Sequence, residues 1–238
     1  MRYLDFERLE EIDPVAFRAR KPYPWTASEN LLTDEGFEKL RQSLPDISLL
    51  ERRFGEQRKA GQAPHDRYSL EYTDDVTVAQ PWHEFIEELR SDRYRDGMRR
   101  LLGGKRLEFR FHWHYTPAAC AVSPHCDAKR ELGSHLFYFN PAEDWDPSWG
   151  GQTLVLDDDG RFETRSAPAF DDFDRVVAVE NIGNRSFFFA RRDNGWHGVR
   201  EIQCPEGYLR KVFIVVINPN ALYYKIRDTI RGKSIQRY

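Results

Sequence analysis

His125 and Asp127 stand two positions apart in Ser123-Pro124-His125-Cys126-Asp127, directly after an apolar, strand-like run. On an extended chain, side chains at i and i+2 point to one face, so the imidazole and the carboxylate can grip one metal ion while Cys126 turns away. A second imidazole comes late: Gly195-Trp196-His197-Gly198-Val199 opens another strand with His197, 72 positions further on (197 − 125). Two imidazoles and one carboxylate from two distant strands make the facial triad suited to non-haem Fe(II), with one face of the octahedron left open. Zinc prefers a tetrahedral set and often takes thiolate, and Cys126 alternates away from the His125/Asp127 face, so the pattern favours iron. His112, His114 and His135 are read as structural or supporting groups rather than ligands.

Arg210 precedes the apolar run Val212 to Ile217, thirteen residues after His197 (210 − 197). A guanidinium at the mouth of an apolar strand is costly to bury without an anion, and its planar fork suits a carboxylate. Adjacent strand positions face opposite sides, so either Arg210 or Lys211 points inward; Arg210 is taken as the anchor and Lys211 stays the alternative. Arg110, Trp113, Arg130, Trp145, Arg192 and Trp196 are candidate substrate contacts. Cations with tryptophans suit an anionic or zwitterionic small molecule, or a peptide segment. Arg110 shares a strand face with His112 and His114, which is either pocket lining or outer surface.

The elements that must position these groups follow from patterning. Thr33 caps a helix carrying Phe37, Leu40 and Leu44 on one face, and Pro45 ends it. Residues 51–67 read as a basic loop, either solvated or a mobile lid, and 68–73 as a short strand. A helix starts at Pro81-Trp82, and its spacing continues through Tyr94, Met98 and Leu101 to Gly103-Gly104. From Arg106 the period changes to two: Leu107, Phe109, Phe111 and Trp113 alternate with Glu108, Arg110, His112 and His114. Further strands are expected at 120–123, 134–140, 152–156, 161–165, 174–179, 185–190, 197–203 and 210–218, with a hairpin turn at Asp157-Asp158-Asp159-Gly160. The fold class is therefore mainly β with N-terminal helices, and short antiparallel strands in this number close as a double-stranded β-helix, a jelly roll. Residues 1–105 are expected to form a helical buttress and lid, 106–218 the core, and 219–238 a basic tail or last helix.

The formal net charge of −3, with acids and bases interspersed, argues against a nucleic-acid binder working by bulk electrostatics. The longest apolar run, Val212 to Ile217, is too short to span a membrane, and the first residues show no secretory signal. Three cysteines without CxxC spacing read as reduced thiols of a cytoplasmic protein.

Residues 106–218 resemble the Fe(II)/2-oxoglutarate-dependent oxygenases, most nearly the prolyl-hydroxylase-like branch. Tyr115, His125-Cys126-Asp127, Tyr138-Phe139-Asn140, Trp145, Gly150-Gly151, Trp196-His197 and Arg210 carry the resemblance. It implies iron on His125, Asp127 and His197 as the catalytic centre, with the distal carboxylate of 2-oxoglutarate held by Arg210 and Tyr138. Tyr115, ten residues before His125 (125 − 115), is implied to shape the co-substrate pocket. O2 is the other co-substrate and ascorbate a supporting reductant. The implied reaction hydroxylates an unactivated C–H of a small molecule or a peptidyl side chain, releasing succinate and CO2. The chain departs from the family in a longer gap between His197 and Arg210, and it lacks the Asn-x-Tyr signature of the nucleic-acid demethylase branch. Asp127 also stands where related halogenases have a small residue. The competing readings are a jelly-roll metal-binding or sensor protein without turnover and a cupin-like metalloenzyme that does not use 2-oxoglutarate. Arg210 together with Tyr138 separates these from the oxygenase.

Overall fold

The computed structural model describes residues 2–58, 61–103 and 106–219. The expected C-terminal helix lies outside them. Two short helices come first: α1 (Phe6–Glu11), with Asp5 accepting from the Arg8 amide, and α2 (Pro14–Ala19), with Asp13 as cap and Pro14 in its first turn. The strand β1 (Trp25–Glu29) follows, then α3 (Asp34–Gln42), capped by Thr33. Next come β2 (Glu51–Arg53), β3 (Arg67–Glu71), α4 (Gln80–Arg90) and α5 (Asp92–Leu102). The single long helix expected from Pro81 is thus two. Ser91 adopts extended φ −61°, ψ 157°, ends α4 and caps α5 through its hydroxyl. Serine is a poor interior residue and a good cap, so the break falls there.

The remaining strands are β4 (Leu107–Pro117), β5 (Val122–His125), β6 (Gly133–Tyr138), β7 (Thr153–Asp157), β8 (Arg175–Val179), β9 (Arg185–Ala190), β10 (His197–Val199) and β11 (Leu209–Pro219). They form a seven-stranded sheet, β1-β9-β6-β11-β4-β3-β2, and a four-stranded sheet, β5-β10-β7-β8, all antiparallel. This is a double-stranded β-helix. Residues 161–165, expected as a strand, are not one. Both ladders of β7 are already taken, by β10 and β8, so the stretch after the turn cannot pair back on it. The N-terminal third supplies three strands of the large sheet as well as the helices that cover it.

Strand parity sorts the large sheet into two faces. On the outer face Trp113, Tyr115, Phe137, Phe213 and Val215 pack with Trp82, Phe85 and Leu89 of α4. On the inner face Leu136, Tyr138 and Val212 meet Val155, Phe187 and Phe189. The register pairs Val212 with His114, Ile214 with His112 and Val216 with Arg110, so these three polar residues of β4 also face inward. His135 has the other parity and lies on the outer face, where its Nδ1 is 2.9 Å from the Tyr94 hydroxyl.

Burial brings the imidazoles of His112 and His135 down to about 3. Between that value and about 6.5 the unfolded chain binds protons that the folded chain refuses. The stability carried by these two groups is whole above about pH 6.5 and is lost as pH falls, at up to about 1.4 kcal/mol per pH unit each. The urea midpoint of the metal-free protein is therefore expected to drop steeply from about pH 6.5 to 5, and a His135→Gln variant to show a shallower slope.

Candidate metal centre

The first β10 residue, His197, pairs in register with the last residue of β5, His125. This cross-strand pairing sets the two imidazoles side by side, with ring centroids 4.3 Å apart. Asp127 follows two residues on and reaches both: its Oδ1 lies 3.7 Å from His125 Nε2 and 3.6 Å from His197 Nε2. Among the described residues these side chains make up the cluster able to hold one ion, with ligand atoms all within 4.8 Å of one another.

Each ligand is oriented from behind. His125 Nδ1 donates to the Ser123 carbonyl at 2.9 Å and His197 Nδ1 to the Gly195 carbonyl at 3.0 Å. A carbonyl only accepts, so each Nδ1 carries a proton, and Nε2 is the ring atom turned toward the cluster as the one that a metal would take. Burial, then the charges of His197 and His65, push the His125 imidazole well below its ordinary value, which keeps it in the neutral, metal-binding form. Ser134 donates its hydroxyl to Asp127 Oδ2 at 3.1 Å, and Arg191 Nε donates to the Asp127 carbonyl at 3.2 Å. Phe189 packs on His197, with centroids 4.7 Å apart. Two Nε2 donors and one carboxylate oxygen, pre-oriented and converging, fit a divalent non-haem iron. Cys126 points elsewhere, its Sγ donating to the Asp193 carbonyl at 3.4 Å, and burial pushes its thiol up to about 12, away from thiolate ligation.

Arg210 projects from the inner face of β11 and is 5 % exposed. Its Nε donates to the Gly151 carbonyl at 2.5 Å and its Nη2 to Thr153 Oγ1 at 3.0 Å, while the Tyr138 ring lies 5.4 Å from its guanidinium carbon. The Tyr138 hydroxyl donates to the same Thr153 oxygen at 2.8 Å. All these partners are neutral, and burial lowers the guanidinium below its ordinary value. Thr153 sits two residues before Val155, which pairs with His197. That step is about 6.6 Å along a strand. Lys211 has the opposite parity and shares the face of Phe213.

Gly151 makes the close approach to Arg210 workable. Its φ of +91° is a left-handed conformation, and an added Cβ would lie 2.9 Å from Asn181 Nδ2 and 3.2 Å from Arg210 Cδ. Gly151→Ala is expected to cost about 2–4 kcal/mol of stability and to weaken ligand capture by Arg210; thermal melts and co-substrate titration check it.

Other residues singled out in the sequence lie elsewhere. Tyr115 is on the outer face, its hydroxyl donating to the Pro45 carbonyl at 2.9 Å, and Trp113 stacks among Trp82 and Phe213 on that same face. Counting back from His125 reached Tyr115 without its parity, which is that of Trp113 and opposite to that of His114. Trp196 is fully buried with Leu154, Leu156 and Phe173 on the far side of the small sheet. Trp145 is buried with its Nε1 on the Gly150 carbonyl at 2.9 Å, so it props the Gly150-Gly151 turn rather than facing a ligand. Arg192 is exposed, bonded to the Arg191 carbonyl at 2.9 Å.

Arg110 does face inward, near Glu71 (3.9 Å) and His112 (3.3 Å). Arg110, Arg130 and Arg191 surround the half-buried Glu131, whose carboxyl is raised by burial first and by the Asp127 charge second. The sequence reading missed His65 and Arg67. His65 is buried, donates Nε2 to Ser123 Oγ at 2.9 Å, and sets its ring 4.5 Å from that of His125. The available signal was the alternation Arg67-Tyr68-Ser69-Leu70-Glu71, which matches the alternation of β4, the strand it pairs with.

No family model matches this chain, and no curated protein matches its sequence. Solved structures do. A Pseudomonas putida prolyl-4-hydroxylase superposes with a TM-score of 0.60 at 15% identity, covering 88% of this chain and 98% of that one. A Trichoplax adhaerens prolyl hydroxylase, solved with a hypoxia inducible factor peptide, gives a TM-score of 0.61 at 12% identity, covering 96% and 94%. The non-heme alpha-ketoglutarate-dependent carbocyclase SnoK of nogalamycin biosynthesis gives 0.58 at 14%, covering 89% and 86%. At these identities what is shared is the architecture: the chain has the double-stranded β-helix fold of the 2-oxoglutarate-dependent oxygenases.

Proposed function

We propose that this protein is an Fe(II)- and 2-oxoglutarate-dependent oxygenase that hydroxylates an unactivated C–H of a small molecule or a peptidyl side chain. The observation that carries the reading is Arg210, a buried guanidinium with only neutral partners, which reaches from the large sheet to Thr153 of the small sheet that carries the triad. A buried cation of this kind is costly unless a carboxylate completes it. A metal-binding or cupin-like protein without a dicarboxylate has no use for it.

His125, Asp127 and His197 would hold Fe(II) on one face and leave the other open. Arg210 and Tyr138 would bind the distal carboxylate of 2-oxoglutarate, with Thr153 fixing both side chains. Phe189, Val155 and Val212 keep this wall dry, which strengthens each polar contact made inside it. Bound together, Fe(II), 2-oxoglutarate and O2 supply the oxidant for the C–H bond, with release of succinate and CO2. Ser134 holds Asp127 in position as ligand. Hydroxylation is the reaction named for two of the three similar structures, and one of those was solved with a peptide. The three free thiols support a cytoplasmic setting.

The test is anaerobic addition of Fe(II) and 2-oxoglutarate to the purified protein. A weak visible charge-transfer band, with slow succinate release on admitting O2, is the expected result. Folded protein that gives neither band nor succinate overturns the reading.

A further inference from the structure

Among the described residues two arginines are buried, Arg210 and one other, and a single distal carboxylate accounts for only one of them. The other is Arg67. It is 8 % exposed, and its Nε is buried without a hydrogen-bond partner. Its Nη1 donates to the His65 carbonyl at 2.8 Å, a neutral acceptor. No carboxylate lies within ion-pairing distance of it among the described residues. The two acids whose charges act on it have partners elsewhere, Glu56 with Arg53 at 3.2 Å and Asp66 with the Gly55 amide at 2.8 Å.

The register fixes where Arg67 points. Tyr68 pairs with Tyr115 and Ser69 with His114, so Arg67 has the parity of His114 and Arg110 and projects inward from β3. It lies on the opposite flank of the metal centre from Arg210. In the small sheet β10 sits between β5 and β7. Arg210 is tied to Thr153 of β7, whereas Arg67 is tied to His65, whose ring meets that of His125 of β5 edge to face. The positive charge of Arg58 acts on His65, Arg67 and His125 alike, so the potential on this flank is positive. Burial and the Arg58 charge bring the Arg67 guanidinium down to about 10, still cationic at neutral pH.

We propose that Arg67 is the anchor for an oxyanion, a carboxylate or a phosphate, on the primary substrate, held on the His125 side of the metal centre. This deepens the oxygenase reading and rests on it. The desolvated, unmatched fork of Arg67 is completed only when that anion arrives, so the substrate's charged end fixes which C–H faces the open coordination positions.

The test compares wild type with Arg67→Met, each loaded with Mn(II) and saturating 2-oxoglutarate, in sodium chloride, sodium acetate and sodium phosphate of equal ionic strength. In chloride the variant is expected to melt about 2–4 °C above wild type, because an unmatched buried charge has gone. Acetate or phosphate is expected to raise the wild-type melting temperature by about 2–4 °C and to leave the variant unmoved. The anion that acts identifies the oxyanion. Arg67→Gln, which keeps a donor for the His65 carbonyl, is expected to behave as Met does. Variants that melt below wild type in chloride, or that keep the full anion shift, overturn the proposal in favour of a structural arginine. Loss of the anaerobic Fe(II)/2-oxoglutarate band in the variants overturns it differently, by assigning Arg67 to the co-substrate. A band absent from wild type as well would instead strike at the oxygenase reading.

Discussion

An Asp127→Ala variant is expected to fold, to lose stoichiometric Fe(II) binding, and to lose at least about a thousandfold of its turnover. The carboxylate is the anionic member of the cluster and the group that touches both imidazoles, at 3.6 and 3.7 Å. Without it the cluster keeps only imidazole nitrogens as donors, and an imidazole ligand compensates none of the metal's charge. The fold should survive because the backbone at this position stays tied by Arg191 Nε to the Asp127 carbonyl, which alanine keeps. The Ser134 hydroxyl loses its acceptor, a cost of about 1 kcal/mol. Metal titration followed by succinate release measures both losses, and a thermal melt of the metal-free variant within a few degrees of wild type separates them from unfolding. Full turnover in the variant would remove Asp127 from the centre.

Arg210→Met is expected to act on a different quantity. The KM for 2-oxoglutarate should rise by roughly 10²–10³, in line with about 3–4 kcal/mol for truncating one side of a buried charge pair. The ligand-free variant should melt no lower than wild type, since the guanidinium there is bonded only to the Gly151 carbonyl and the Thr153 hydroxyl. Arg210→Lys keeps the charge and loses the planar fork, so its KM should fall between the two. Band formation against co-substrate concentration, together with melting curves, checks both statements. A large loss of stability with unchanged KM would make Arg210 a structural residue.

What could be read from the sequence depended on whether an element's partner was also legible. His125, Asp127 and His197 were visible because i, i+2 parity on one strand and a late His on another are local signals, and the structure brings the three together. The alternation in β4 likewise announced two faces, but only pairing with β11 shows that Arg110, His112 and His114 take the inner one. Tyr115, implied by the resemblance to shape the pocket, has the parity of Trp113 and lies on the outer face, which its ten-residue distance from His125 does not reveal. Residues 161–165 follow a hairpin-like turn but do not return along β7, whose two sides are taken by β10 and β8. His65 and Arg67 were hidden in a stretch that reads as a polar loop. His65 is buried by long-range contact with Ser123 and His125, which no local pattern encodes, and Arg67 by the pairing of its strand, of which only the alternation over 67–71 gives a local sign.

The position of β11 bears on how the molecule comes together. It is the last described strand in chain order, yet it lies in the middle of the large sheet, paired along eleven positions with β4 and along six with β6. The opposite edge strand β1 waits for β9, from Trp25 to Phe189. A nascent chain that has not yet extruded residues 209–219 therefore exposes β4 and β6 as two unpaired inner edges. Such topologies pay loop-closure entropy before their contacts reward it, so folding should be slow and largely post-translational. Chaperone demand should be highest in that interval, and a chain cut before Leu209 would lack the sheet's central seam and Arg210 together.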